Sequence, residues 1–119
     1  MNRDEAKDLF LTHKGAWEDY PFDDVTAVFK VGSKMFGLMS APGKPLTINL
    51  KCDPDLAADL RDVYEDIMPG YHMSKRHWNT VNVQGSLPAE EIVKMIEHSY
   101  QLVLKSLPKR ERETILNSD

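Results

Sequence analysis

Hydrophobic positions along the chain change period several times, and each change marks an element. In LTINLK (46–51), Leu46, Ile48 and Leu50 alternate with Thr47, Asn49 and Lys51. NTVNVQ (79–84) repeats the pattern, with Val81 and Val83 set against Thr80, Asn82 and Gln84. A period of two predicts a strand with one packed face and one wet face. VTAVFKV (25–31) and KMFGLM (34–39) are β-branched and aromatic, and Gly32-Ser33 between them is a two-residue hairpin signal. Ser40-Ala41-Pro42-Gly43-Lys44-Pro45 predicts a second turn, stiffened by two prolines. The aromatic stretch from Trp17 to Phe22 reads as a short edge strand or an ordered loop, because Pro21 keeps Tyr20 out of the α region.

Elsewhere the period lengthens to that of a helix. Asn2 and Glu5 have capping-box spacing, and Ala6, Leu9, Phe10 and His13 follow on one face, predicting a helix over 3–13 that ends at Lys14-Gly15. Asp53-Pro54 supplies an N-cap acceptor and a proline at the first helical position. The stripe Leu56, Leu60, Val63, Tyr64, Ile67 then predicts a helix over 53–67, closed by Met68-Pro69-Gly70, with its acids on a solvated face. A third helix over 88–107 starts at Pro88, carries Ile92, Met95, Ile96, Tyr100, Val103, Leu104 and Leu107, and stops at Pro108. A short fourth helix is expected over 109–117. This order predicts an α+β fold, a two-layer sandwich with an antiparallel-rich sheet and the helices at 53–67 and 88–107 packed on one face. Leu50 and Val83 should then be buried, and the opposite face should show Thr47, Asn49, Lys51, Thr80 and Asn82.

A chain of 119 residues fits one domain spanning 1–119, and 41% apolar with 29% charged residues is an ordinary globular balance. No apolar run approaches the roughly 18 residues that would span a membrane. The N-terminus lacks an apolar signal-peptide core, so a cytoplasmic location is expected. Cys52, the one cysteine, cannot form an internal disulfide and is expected to be a buried, inert thiol.

Charge is segregated more than its total of −4 suggests. Residues 25–52 carry Lys30, Lys34, Lys44 and Lys51 and no acid; residues 67–89 carry Lys75 and Arg76 and no acid. Together these blocks hold +6, while 53–66 sets six acids against Arg61. HMSKRHWNTV (72–81) is the densest stretch of side-chain chemistry. There Arg76 could take a phosphate bidentately and Trp78 could stack on a base. Against that, a lone aromatic beside a strand usually packs, which favours core for Trp78; on that plainer reading Tyr71 also fills the core and His72 and His77 cap turns. For Lys75 and Arg76, phosphate contact and plain solvation both stay open. His72 and His77 are five residues apart with no thiol or carboxylate at zinc-ligand spacing, so neither metal nor other cofactor is expected. With no phosphate loop and no evident base for Cys52 or Ser74, no enzyme is expected either.

Several segments together are identified as those of a known family. Lys14-Gly15-Ala16 leads to Asp19-Tyr20-Pro21-Phe22, and Val28-Phe29-Lys30-Val31-Gly32 is followed by Lys34-Met35-Phe36. Next come Asn49-Leu50-Lys51-Cys52-Asp53-Pro54, Pro69-Gly70-Tyr71-His72-Met73 and Lys75-Arg76-His77-Trp78-Asn79-Thr80-Val81. Gly85-Ser86-Leu87-Pro88 and His98-Ser99-Tyr100 complete the set. In this order they resemble the MmcQ/YjbR-like family of small bacterial proteins over nearly the whole chain. The resemblance implies a two-layer α+β fold related to secretion chaperones and frataxin-like proteins, and DNA binding through two β-hairpin wings. One wing would be the Gly32-Ser33 hairpin with Lys30 and Lys34, the second Ala41–Lys44. Lys51 and Lys75, Arg76, His77 and Trp78 would join the same DNA-binding surface. Two functions from different classes follow. The first is weak, mostly sequence-nonspecific binding of double-stranded DNA through the +6 blocks. The alternative is a non-enzymatic protein-interaction module, dimeric or not, using the polar sheet face or a helix surface. Charge segregation favours the first and net charge the second.

Overall fold

The computed structural model describes residues 1–70 and 73–118. Its elements are α1 (Arg3–Leu11), β1 (Ala16–Asp19), β2 (Val28–Val31), β3 (Lys34–Met39), β4 (Thr47–Lys51), α2 (Pro54–Val63), β5 (Ile67–Pro69), β6 (Trp78–Asn82), α3 (Ala89–Ser106) and α4 (Lys109–Leu116). The six strands form one sheet in the order β1-β2-β3-β4-β6-β5, with every pair antiparallel. The two alternating segments pair directly, Ile48 opposite Val81 and Asn49 opposite Thr80. Their apolar side chains therefore share one face.

That face carries the core. Phe10 of α1 stacks on Phe29 of β2 at 4.2 Å and meets Phe36 of β3 edge-on. The long stripe of α3 lies across β2, β3 and β4 and buries Ile92, Ile96, Tyr100 and Val103. Leu50 and Val83 are 2% and 3% exposed, so both point into the layer between sheet and helices. α1 packs on β1 and α3, and α2 packs on β5, which makes an α+β sandwich with its helices on a single face.

Three boundaries differ from the sequence reading. α1 stops at Leu11 rather than 13. β2 starts at Val28 because Asp23 accepts from the backbone of Val25 and Thr26 and from the Thr26 hydroxyl, holding 23–26 in a turn. The third difference is larger. α2 ends at Val63, and Tyr64 is already extended at φ −117°, ψ 120°. Ile67 then pairs with Val81 as the start of edge strand β5. The chain is drawn there by Asp66, whose carboxylate accepts from Asn82 and from the backbone and hydroxyl of Ser86. Pro69 suits an edge, where no partner awaits its missing N–H. Val63, expected on the apolar stripe, is 71% exposed.

One bulge sets the chemistry of the far face. Phe29 pairs with Gly37 but Lys30 pairs with Met35, so Phe36 is an extra residue in β3. Phe36 and Gly37 both turn toward the core, and the strand is re-phased. The freed Phe36 carbonyl accepts from the Ser99 hydroxyl at 2.6 Å, and the same hydroxyl accepts from Lys51 N at 2.9 Å. Ser99 is fully buried. It ties α3 to two strands where the ladder is irregular.

Candidate functional site

The sheet face opposite the helices is where side-chain chemistry collects. Re-phasing by the bulge places Met35 and Leu38 on it, between Lys30 and Asn49. Its centre is not wet: Asn49 and Thr80 are 9% and 8% exposed and share a hydrogen bond from the Thr80 hydroxyl to Asn49 Oδ1. Two depressions of about 510 Å³ each meet at Leu38 and Asn49. One is walled by Phe22, Met35, Met73 and Trp78. The other is walled by Met68 of β5 and by the 40–45 turn with Lys44. Phe22 is 67% and Met68 45% exposed, unusual for large apolar side chains set around one groove.

Trp78 is therefore not core. In β6, Asn79 and Val81 face the helices, as does Val83 just beyond it, so the pleat sends Trp78 and Thr80 to the other side. Trp78 is half-buried, with Lys51 directly opposite. At the same end of the sheet Lys30 lies opposite Trp17, 5.2 Å over its ring, and pairs with Asp19 at 2.9 Å. The hydrogen bond from Lys30 holds the Asp19 carboxyl below its ordinary range, with a contribution from Tyr20 N.

The eight basic and aromatic positions singled out in the sequence do not form one surface. Lys30 is neutralised by Asp19. Lys34 donates to the Ser106 carbonyl at the end of α3, on the helix side. Lys44 stands exposed at the far end of the groove, in the 40–45 turn. Lys51 and Trp78 remain together, and exposed Lys75, Arg76 and His77 form the turn leading into β6, held by Arg61 Nη1 on the Lys75 carbonyl at 3.0 Å. His77 is a surface residue whose carbonyl accepts from Cys52 N. Tyr71 and His72 lie outside the described residues. The Gly32-Ser33 hairpin is no free wing, because Glu111 of α4 accepts from Ser33 N and Oγ and Trp17 Nε1 donates to Gly32 O. Ala41–Lys44 does project, with open space around Gly43.

The apolar half of the groove escaped the sequence reading. Met35 and Leu38 are three residues apart, one step out of phase with a simple strand, which only the bulge corrects. Met68 reads as a helix terminus, and Phe22, with Trp17 and Tyr20, as core or edge packing ahead of a groove wall. The usable signal was the run Met68-Pro69-Gly70 before a polar strand, since proline within a short apolar run fits an edge strand. Cys52 is 6% exposed, and burial, then Asp53, push its thiol up to about 11. Among the described residues no group of three or more His, Cys, Asp or Glu is placed to hold a metal ion, and no helix is long and apolar enough to cross a membrane.

An antiparallel six-stranded sheet, helices on one side and a walled, part-apolar groove on the other, defines an open-faced α+β sandwich. The chain belongs to the YjbR family, whose model matches residues 11–102. It is 38% identical over 101 residues to the uncharacterized protein YbdF of Escherichia coli, covering 81% of this chain and 79% of that one. It is 29% identical over 116 residues to Escherichia coli YjbR, covering 98% of both. Among solved structures, Deinococcus radiodurans protein DR2400 superposes with a TM-score of 0.87 at 37% identity, over 98% of this chain and 88% of that one. A Pseudomonas syringae protein superposes at 0.75 with 33% identity, over 86% and 98%.

Proposed function

We propose that this is a non-catalytic binding protein whose uncovered sheet face takes an extended segment of a protein partner, apolar in the middle and acidic at its ends. The observation that carries this reading is the pair of 510 Å³ depressions joined at Leu38 and Asn49. Met35, Met68 and Met73 give the groove adaptable, polarizable walls, a composition suited to peptide side chains. Trp78 and Phe22 supply aromatic anchors of the kind that dominate interface energy. Lys44 at one end and Lys51, Lys75 and Arg76 near the other favour acidic residues flanking the segment. A non-catalytic role draws support from the chemistry at hand: a neutral, buried Cys52 is a poor nucleophile, and Asp53 and Asp66 are occupied in holding backbone.

A second reading, weak and sequence-nonspecific binding of duplex DNA, draws on Lys51, Lys75, Arg76 and His77 gathered beside Trp78. With Lys30 paired and Lys34 turned to the helix side, few cations are left to displace counterions, so affinity would fall in the range of about 10⁻⁴ to 10⁻⁶ M. One titration separates the two. Methionine-methyl and ¹H–¹⁵N amide NMR are followed together while adding either an acidic-ended apolar peptide or a duplex at low salt. The peptide is expected to shift Met35, Met68 and Met73 saturably and to survive moderate salt. Saturable shifts confined to Lys75–Trp78, caused by DNA alone and lost steeply with salt, would replace the first reading by the second.

A further inference from the structure

On the opposite side of the sheet, between α2 and α3, lies a separate cleft. Its walls are Leu50, Leu56, Leu60, Val81 and Met95, and Asn79 is set among them. Asn79 is 2% exposed, and its Oδ1 has no hydrogen-bond partner among the described residues. Its Nδ2 reaches the Ala57 carbonyl at 3.5 Å, a carbonyl already accepting from Arg61 Nε at 3.1 Å. A buried amide oxygen left unpaired in an apolar wall is unfavourable, and native structures carry few of them.

We propose that this cleft binds a small, neutral, ring-sized molecule carrying one hydrogen-bond donor, a phenol or a compound like it, with the donor on Asn79 Oδ1. The cavity measures about 170 Å³; an apolar cavity of roughly 150 Å³ holds a benzene ring. Charge on the ligand meets no free counter-charge inside: Lys51 lines the cleft, but strand alternation sends its side chain to the opposite face, beside Trp78. At the rim Glu91 and Lys94 pair with each other at 3.6 Å, and His98 Nε2 already accepts from Asp53 N at 3.2 Å. The neighbouring Cys52 thiol is neutral below about 11. Water is a poor occupant, because a buried water needs two to four polar partners, roughly, and the apolar walls offer the Asn79 oxygen and little else. Leu56, 40% exposed at the start of α2, leaves the mouth accessible.

The test is a ¹H–¹⁵N NMR titration of the whole protein with phenol, and in parallel with toluene, which has the same ring and no donor. Phenol is expected to shift Leu50, Val81 and Met95 saturably. It should bind roughly fivefold tighter than toluene, about what one net hydrogen bond supplies. Asn79→Leu should abolish that preference while leaving toluene binding in place. Should this variant fail to fold, protection of Cys52 from a thiol reagent in the wild-type protein gives the same comparison, with phenol protecting at lower concentration than toluene. Shifts that rise without saturating, equal affinity for the two rings, or changes confined to the opposite sheet face would each overturn the proposal.

Discussion

Gly37 leaves no room for a side chain. A Cβ built there would lie 2.1 Å from Cε1 of Phe10, whose ring is already stacked flat on Phe29. Gly37→Ala must push the Phe10 ring off that stack, and overpacking of this kind costs about 1–3 kcal/mol. We expect a loss toward the upper end of that range, measured as a shift in the urea midpoint, and recovery with Phe10→Leu in the same chain. His13 makes a second prediction. Its ring stacks on Tyr100 at 4.6 Å and meets Phe36 edge-on. Burial lowers its pKa below the ordinary histidine value, and Glu97 opposes this without cancelling it. Because the folded state prefers the neutral ring, this stabilisation is complete above the unfolded value of about 6.5 and lost as pH falls through the folded value. Denaturant midpoints should therefore drop from about pH 7.5 to about pH 5, and His13→Phe should flatten that part of the decline. An unchanged slope in the variant would locate the effect elsewhere.

At the scale of elements, α2 is the one whose energetics the helical period misjudges. Asp53 caps it through Leu56 N at 3.2 Å, and Pro54 opens its first turn. Only Ala57 is fully buried, while Leu56 and Val63 are 40% and 71% exposed. The helix is thus held by its cap and a narrow contact with β5. Asp53→Ala should cost about 1 kcal/mol, as loss of an N-cap usually does. Val63→Ser should stay within about ±0.5 kcal/mol, the range of exposed substitutions. Leu60, Tyr64 and Ile67 do pack on the core, so a core-sized penalty at Val63, read from chemical denaturation, would add that residue to the packed stripe. The strands were more legible. LTINLK and NTVNVQ fall in register because alternation admits one pairing parity, and a one-residue slip would turn either Ile48 and Leu50 or Val81 and Val83 to the far face. The bulge at Phe36 carried no such signal. A side chain can leave the strand rhythm only because Ser99, 63 residues away, takes up the carbonyl it frees.

For the whole molecule, the question is which face does the work. Acidic side chains crowd α2 and the first turns of α1 and α3. Lys44, Lys51, Lys75 and Arg76 lie around the opposite sheet face, while Lys94, Lys105, Lys109 and Arg110 stay on α3 and α4, within a total of −4. Trp78→Ala tests that face directly. A half-buried ring on the open side should cost about 1–2 kcal/mol, part of the 1.5–3 for full burial of a large apolar side chain. It should also remove binding of an acidic-ended peptide, measured by calorimetry on the folded variant. A loss of about 3–5 kcal/mol would instead mark the ring as core.

The sequence by itself determined the elements that follow one local rule: the Asn2 capping box, the Gly32-Ser33 hairpin, the Asp53-Pro54 helix start, the long stripe of α3 and the two alternating strands. From these came the α+β sandwich with helices on one face, because period and capping act within a few residues of chain. Tertiary structure decided what depends on partners distant in sequence. Asp66 reaches Ser86 and Asn82 and makes 67–69 a strand; Ser99 permits the bulge that turns Met35 and Leu38 outward. Strand parity takes Trp78 out of the core, and Asp19 and Ser106 draw Lys30 and Lys34 away from a common basic surface. Such effects rest on geometry between elements, so a list of residue types and spacings has no term in which to express them.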